Sequence, residues 1–176
     1  MMRFLLVVSL LFSLPGLAQP TSPADIHASL NRHLWDAARN GDNPVIREFV
    51  AANYDLNAQD ANGYTPVILA AYHGHGDTLA LLLKHGADPC LRDKRGNSAL
   101  MGAIFKGEIA IARTLIAAPC NPDQRNNAGQ TAAMYASLFQ RTELLKALAA
   151  KGADMQATDA LGNSVTSLGQ GEVRGR

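Results

Sequence analysis

Apolar residues fall into two regimes along this chain. From Phe4 to Leu14 they form an almost unbroken run, whereas after residue 18 they come in short clusters divided by glycine and polar residues. Those clusters are periodic. Gly63, Gly96, Gly129 and Gly162 recur every 33 residues, and their neighbours recur with them. Asp60, Asp93, Asn126 and Asp159 precede the glycines by three positions; Thr65, Ser98, Thr131 and Ser164 follow by two; Ala70, Ala103 and Ala136 follow by seven. Extended backwards, the register sets Ala37, Gly41 and Asp55 opposite Ala70, Gly74 and Asp88. The units are therefore 27–59, 60–92, 93–125 and 126–158, with a truncated unit at 159–170 and a flexible tail at 171–176.

Each unit predicts a helix pair. The polar turn at Gly63 suits positive φ. Thr65 then suits an N-cap and Pro66 the first helical position. Val67, Ala70 and Ala71 supply small packing positions before Gly74 interrupts the helix. Leu79, Leu82 and Leu83 follow at i, i+3, i+4 spacing, and Gly86 closes the second helix. A single pair cannot bury its own apolar face, so the units must stack into a solenoid. Residues 24–40 are expected to form a longer first helix, with His33, Leu34, Ala37 and Ala38 covering the next unit and Trp35 sealing the end.

The apolar run and its flanks read as a signal peptide at residues 1–18. Arg3 leads it, it is too short to span a bilayer, and Gly16 and Ala18 suit a peptidase. Cleavage there leaves equal numbers of basic and acidic residues, which argues against nucleic acid or anionic lipid as partner. Periplasm or the external medium is the expected location, with no membrane anchor left. Export would also let Cys90 and Cys120 pair, two free buried thiols being the alternative.

The segment Asp60-Ala-Asn-Gly-Tyr-Thr-Pro-Val-Ile-Leu-Ala-Ala-Tyr-His-Gly-His, with Leu-Leu-Leu-Lys-His-Gly-Ala-Asp88 after it, resembles an ankyrin repeat. The resemblance runs through residues 19–170, strongest at 60–92 and weakest at 27–59, and with the leader it suggests a small exported bacterial protein of that type. It implies an all-α solenoid of helix pairs with projecting hairpin loops, a monomer whose role is to bind a protein partner through a concave face. The chain also departs from the family pattern. Ile68, Met101 and Met134 stand where a histidine is usual, implying an interior held more by apolar packing. Gln140 replaces the glycine of the earlier inter-helix turns, so that turn is expected to be rebuilt. Pro119-Cys120 replaces the Gly-Ala of the neighbouring units, and a Cys90–Cys120 bridge would clip adjacent repeats together.

Catalysis finds no support in the residues. No Gly-x-Ser-x-Gly elbow, phosphate-cradling loop or His-Glu-x-x-His segment is present, so no enzyme activity and no cofactor are expected. His73, His75 and Asp77 have the chemistry of a zinc or copper site and define an alternative, a metal- or ligand-handling protein. In the ankyrin pattern His75 and Asp77 begin a helix, which accounts for both without a metal.

The register also predicts a surface. Arg39, Tyr72, Phe105 and Leu138 form one row, and Asn40, His73, Lys106 and Phe139 the adjoining one. The loops add Tyr64, Lys94, Arg95, Asn97, Asn127 and Gln130. The resemblance turns these rows toward the concave face, where exposed aromatics rimmed by basic groups mark an interaction site. Core packing is the competing reading of the Tyr72–Phe105–Leu138 row.

Overall fold

The 33-residue register becomes a two-layer solenoid in the computed structural model, which describes residues 22–175; the leader at 1–18 lies outside them. The described helices are α1 (Pro23–Asn40), α2 (Asn43–Ala51), α3 (Pro66–Tyr72), α4 (Gly76–Lys84), α5 (Ala99–Lys106), α6 (Ile109–Ala117), α7 (Ala132–Leu138), α8 (Thr142–Ala150) and α9 (Val165–Gly169). Odd-numbered helices pack in order as the inner layer, α1 on α3, α3 on α5, α5 on α7 and α7 on α9. Even-numbered helices form the outer layer the same way.

Local chemistry fixes where each inner helix begins. Thr65, Ser98, Thr131 and Ser164 are extended N-caps whose hydroxyls accept the N–H of Ile68, Met101, Met134 and Ser167. Before each cap, one Asp or Asn folds the hairpin. Oδ1 of Asp60 accepts from Asn62 and Tyr64, that of Asp93 from Arg95 and Asn97, that of Asn126 from Ala128 and Gln130, and that of Asp159 from Leu161 and Asn163. Successive hairpins join edge to edge: Lys94 N–H donates to Asn62 O, Asn127 N–H to Arg95 O, and Ala160 N–H to Ala128 O, at 2.9, 2.9 and 3.0 Å.

The core is a continuous strip of Ala, Leu, Ile and Met between the layers. Ile68, Met101 and Met134 are all buried in it, so apolar packing fills the place of the usual histidine. Leu34, Ala37 and Ala38 of α1 are buried at one end, whereas His33, expected beside them, is on the exposed side of the helix; Trp35 Nε1–H donates to Ala58 O at 2.8 Å, anchoring the long first helix. At the other end, Arg174 N–H donates to Asn163 Oδ1 at 2.7 Å, bringing the chain after α9 back to the last hairpin.

Two of the family departures have clear outcomes. The turn at Gln140 is not rebuilt: Gln140 takes φ 55°, the left-handed conformation that Gly74 and Gly107 adopt at φ 78° and 77°. At those glycines a Cβ would lie 2.8 Å from Glu108 and from Arg141, the first residues of the following turns. No further inter-helix turn packs on that of Gln140 among the described residues, and the Gln140 amide donates to Ser137 O and Gly169 O, which offsets the left-handed cost. The Pro119 segment does change the chain path. Ala118 ends α6 in an extended conformation, and Cys120 meets Cys90 across a Cα–Cα distance of 5.4 Å in a disulfide.

Candidate protein-binding groove

A groove of about 420 Å³ runs between the hairpins and the inner-helix layer. Asp60, Asn62 and Tyr64 of one hairpin, and Asp93, Arg95 and Asn97 of the next, form one wall. Ile68, Leu69, Tyr72 and His73 from the α3 side, and Met101, Gly102 and Phe105 from α5, form the floor, with Arg39 and Tyr135 at its ends. Tyr72 lies alongside α5 at Gly102, where a Cβ would make ordinary van der Waals contact with its ring at 3.6 Å.

Tyr72 and Phe105 stack nearly parallel, ring centroids 6.3 Å apart, yet remain 39 % and 48 % exposed. Phe139 meets Phe105 edge-on at 5.2 Å and Tyr135 at 6.0 Å, so aromatic rings continue into the next repeat. Lys106 Nζ lies 5.2 Å from the centre of the Tyr72 ring, a cation–π contact. His73 sits against Tyr72; burial, then the nearby Arg39, His75 and Lys106, hold its pKa below the ordinary range and keep it neutral at neutral pH. Tyr135 accepts from Asn126 and donates to Asn97 Oδ1 while burial raises its pKa, so it serves as a neutral hydrogen-bonding strut at the end of the groove.

The residues picked from the sequence separate into two groups. Tyr64, Tyr72, His73, Arg95, Asn97 and Phe105 line the groove, and Lys106 covers its aromatic floor. Asn127 instead ties two hairpins together, its Nδ2 donating to Lys94 O, and Gln130 braces its own hairpin, Oε1 accepting from Asn126. Lys94 is exposed on the hairpin, its main chain held in the ladder. The projected row of Tyr72, Phe105 and Leu138 breaks at its third member: Leu138 is half buried against the core, and the adjoining Phe139 meets Phe105 instead. Tyr135 was the residue missed. Its position in the register, opposite Leu69 and Gly102, was the available signal, since an aromatic there must reach the groove.

His73, His75 and Asp77 do not form a ligand set. His75 Nε2 is 2.9 Å from Arg39 O, an acceptor, so this nitrogen carries its proton and closes the seam between repeats. The His75 ring also packs over Gly41, where a Cβ would come within 2.6 Å of Nδ1. Among the described residues no three His, Cys, Asp or Glu side chains gather as metal ligands. None of the described helices is long and apolar enough to cross a membrane.

The family description "Ankyrin repeats (3 copies)" matches residues 34–126, more than half of the chain and all of the groove but its Tyr135 end. The chain belongs to the ankyrin-repeat family. It is similar to a putative ankyrin repeat-containing protein of Treponema pallidum, 35 % identical over 127 residues, which are 71 % of this chain and 42 % of that one. An ankyrin repeat-containing protein of Schizosaccharomyces pombe is 37 % identical over 68 residues, covering 39 % of this chain and 33 % of its own. The potassium channel AKT2/3 of Arabidopsis thaliana is 33 % identical over 130 residues, covering 73 % of this chain but 16 % of the channel. The chain thus spans less than half the length of these relatives. Ankyrin repeats generally mediate protein–protein interaction and are typically non-catalytic.

Proposed function

We propose that this ankyrin stack is a non-catalytic, monomeric binding module that works in an exported compartment and holds a protein partner in the groove over Tyr72 and Phe105. One observation carries the reading: two stacked aromatic rings remain substantially exposed on α3 and α5, whose other apolar residues are buried or half buried. Rigid aromatics present large contact area with little side-chain entropy to lose, which suits them to anchor a partner. The floor is also preorganised, because Phe139 packs edge-on against Phe105 and Lys106 lies over Tyr72.

Export rests on the leader-like residues 1–18 and is supported by the Cys90–Cys120 bridge, since such bonds persist in oxidising compartments. The test is recovery of the native protein from fractionated cells, followed by mass spectrometry of the chain and of whatever it captures. The reading expects an exported chain beginning at Gln19, an intact bridge and a co-purifying protein. An uncleaved cytoplasmic chain with free thiols would refute export, and a partner retained equally by the Phe105→Ala variant would refute the groove.

A further inference from the structure

The charges around the aromatic floor differ in what they have left to offer. Asp93 uses Oδ1 for the N–H groups of Arg95 and Asn97 and Oδ2 for the Asn97 amide, while Asp60 Oδ1 holds Asn62 and Tyr64. These carboxylates serve the hairpins. Arg39 pairs with Asp36. The Arg95 guanidinium and the Lys106 ammonium have no carboxylate within ion-pair distance among the described residues. His73, between Arg39 and Lys106, adds no negative charge. The groove therefore presents Arg95 and Lys106 as cationic donors without a carboxylate partner beside an apolar floor; Asp60 and Asp93 keep their charge in the same wall, with both Asp93 oxygens and one Asp60 oxygen held by the hairpins.

The two free cations bracket that floor. Arg95 belongs to the hairpin ahead of α5 and Lys106 is the last residue of that helix. Its eight residues separate the ends by about 12 Å, the reach of roughly four extended residues. We infer that the groove takes an extended acidic segment of a partner protein, with carboxylates toward Arg95 and Lys106 on either side of a large apolar side chain seated on Tyr72 and Phe105. This inference rests on the groove being the binding face and adds the chemical class of its occupant. Opposite charges would steer the encounter and set the orientation, while the aromatic contact holds the segment.

The test is fluorescence anisotropy of the chain from Gln19, disulfide intact, with labelled peptides. The probes are Glu-Asp-Phe-Asp-Glu, its Gln-Asn-Phe-Asn-Gln and Lys-Lys-Phe-Lys-Lys counterparts, and Glu-Asp-Gly-Asp-Glu. The acidic Phe peptide should bind best and weaken with added salt. Lys106→Glu, Arg95→Glu and Phe105→Ala should each weaken it about tenfold or more. Equal binding of the neutral peptide, or tighter binding of the basic one, would overturn the acidic class; if Phe105→Ala still weakened those peptides, the groove reading would survive. Acidic-peptide binding untouched by Phe105→Ala would overturn both readings. No binding of the acidic peptide up to about 1 mM would overturn the inference alone, with partner capture left to judge the groove.

Discussion

The seams between repeats and the groove they enclose are built from the same kinds of residue, used in opposite ways. At the seams Asn57 accepts from Asp88 N–H, Gln59 Nε2 donates to Arg92 O, Arg92 to Arg125 O, and Arg125 to Thr158 O, each contact reaching the next repeat. In the groove Arg95 and Lys106 make no such contact with a carboxylate, and the rings beside them stay half exposed. A polar side chain in a repeat array is thus informative about binding only after the contacts to the neighbouring unit have been accounted for. Asn127 shows the point, because it looks like a recognition residue in the sequence yet its amide holds two hairpins together.

Substitutions at the seams should cost stability, most of all where a covalent tie is lost. Reducing Cys90–Cys120, a sequence separation of 30, should lower unfolding free energy by about 3–4 kcal/mol, read as a shift in urea midpoint with and without reductant. An unchanged midpoint would mean the bridge adds nothing to the seam. Gly63→Ala should cost about 2 kcal/mol or more, since residue 63 has φ 82° and its Cβ would lie 2.7 Å from Lys94 N, inside the hairpin ladder. Full stability in that variant would show that the hairpins do not carry the stacking.

Smaller effects sharpen the comparison at the C-terminal end. Gln140→Ala keeps the left-handed strain and loses the amide bonds, so it should cost about 1–2 kcal/mol, while Gln140→Gly should stay within about 0.5 kcal/mol of the parent by removing both. Equal losses would show that the amide does not offset the strain. For Asp159, burial acts to raise the pKa, but hydrogen bonds from Asn163, Leu161 and Gly162 prevail and lower it. A lowered folded pKa means stability that is present above the ordinary carboxylate range and lost as pH falls through the folded value. Asp159→Asn, matching Asn126 one repeat earlier, should flatten the fall in urea midpoint in acid; an unaltered pH profile would assign the acid sensitivity elsewhere.

Most of the architecture is legible from spacing alone, for a physical reason. Each unit repeats the same local devices, an Asx-type turn, a hydroxyl cap and a small-residue helix face, and local devices leave a local signature. What spacing leaves open depends on neighbours. Leu138 is half buried and Phe139 meets Phe105 in the last full unit, the one followed by the short α9. The left-handed Gln140 depends on the same truncation, through the Gly169 carbonyl it reaches. His75 and Asp77 suggest a metal in one dimension, yet His75 belongs to the preceding repeat's turn through Arg39 O and Gly41.

The most direct test compares stability and binding in one variant, Tyr72→Ala with Phe105→Ala. Since both rings are substantially exposed and lie above the core, the pair should leave the urea midpoint and melting temperature nearly unchanged while reducing capture of the partner about tenfold or more. A large loss of stability, or full capture by the double variant, would contradict the account of a groove whose exposed aromatics exist to bind.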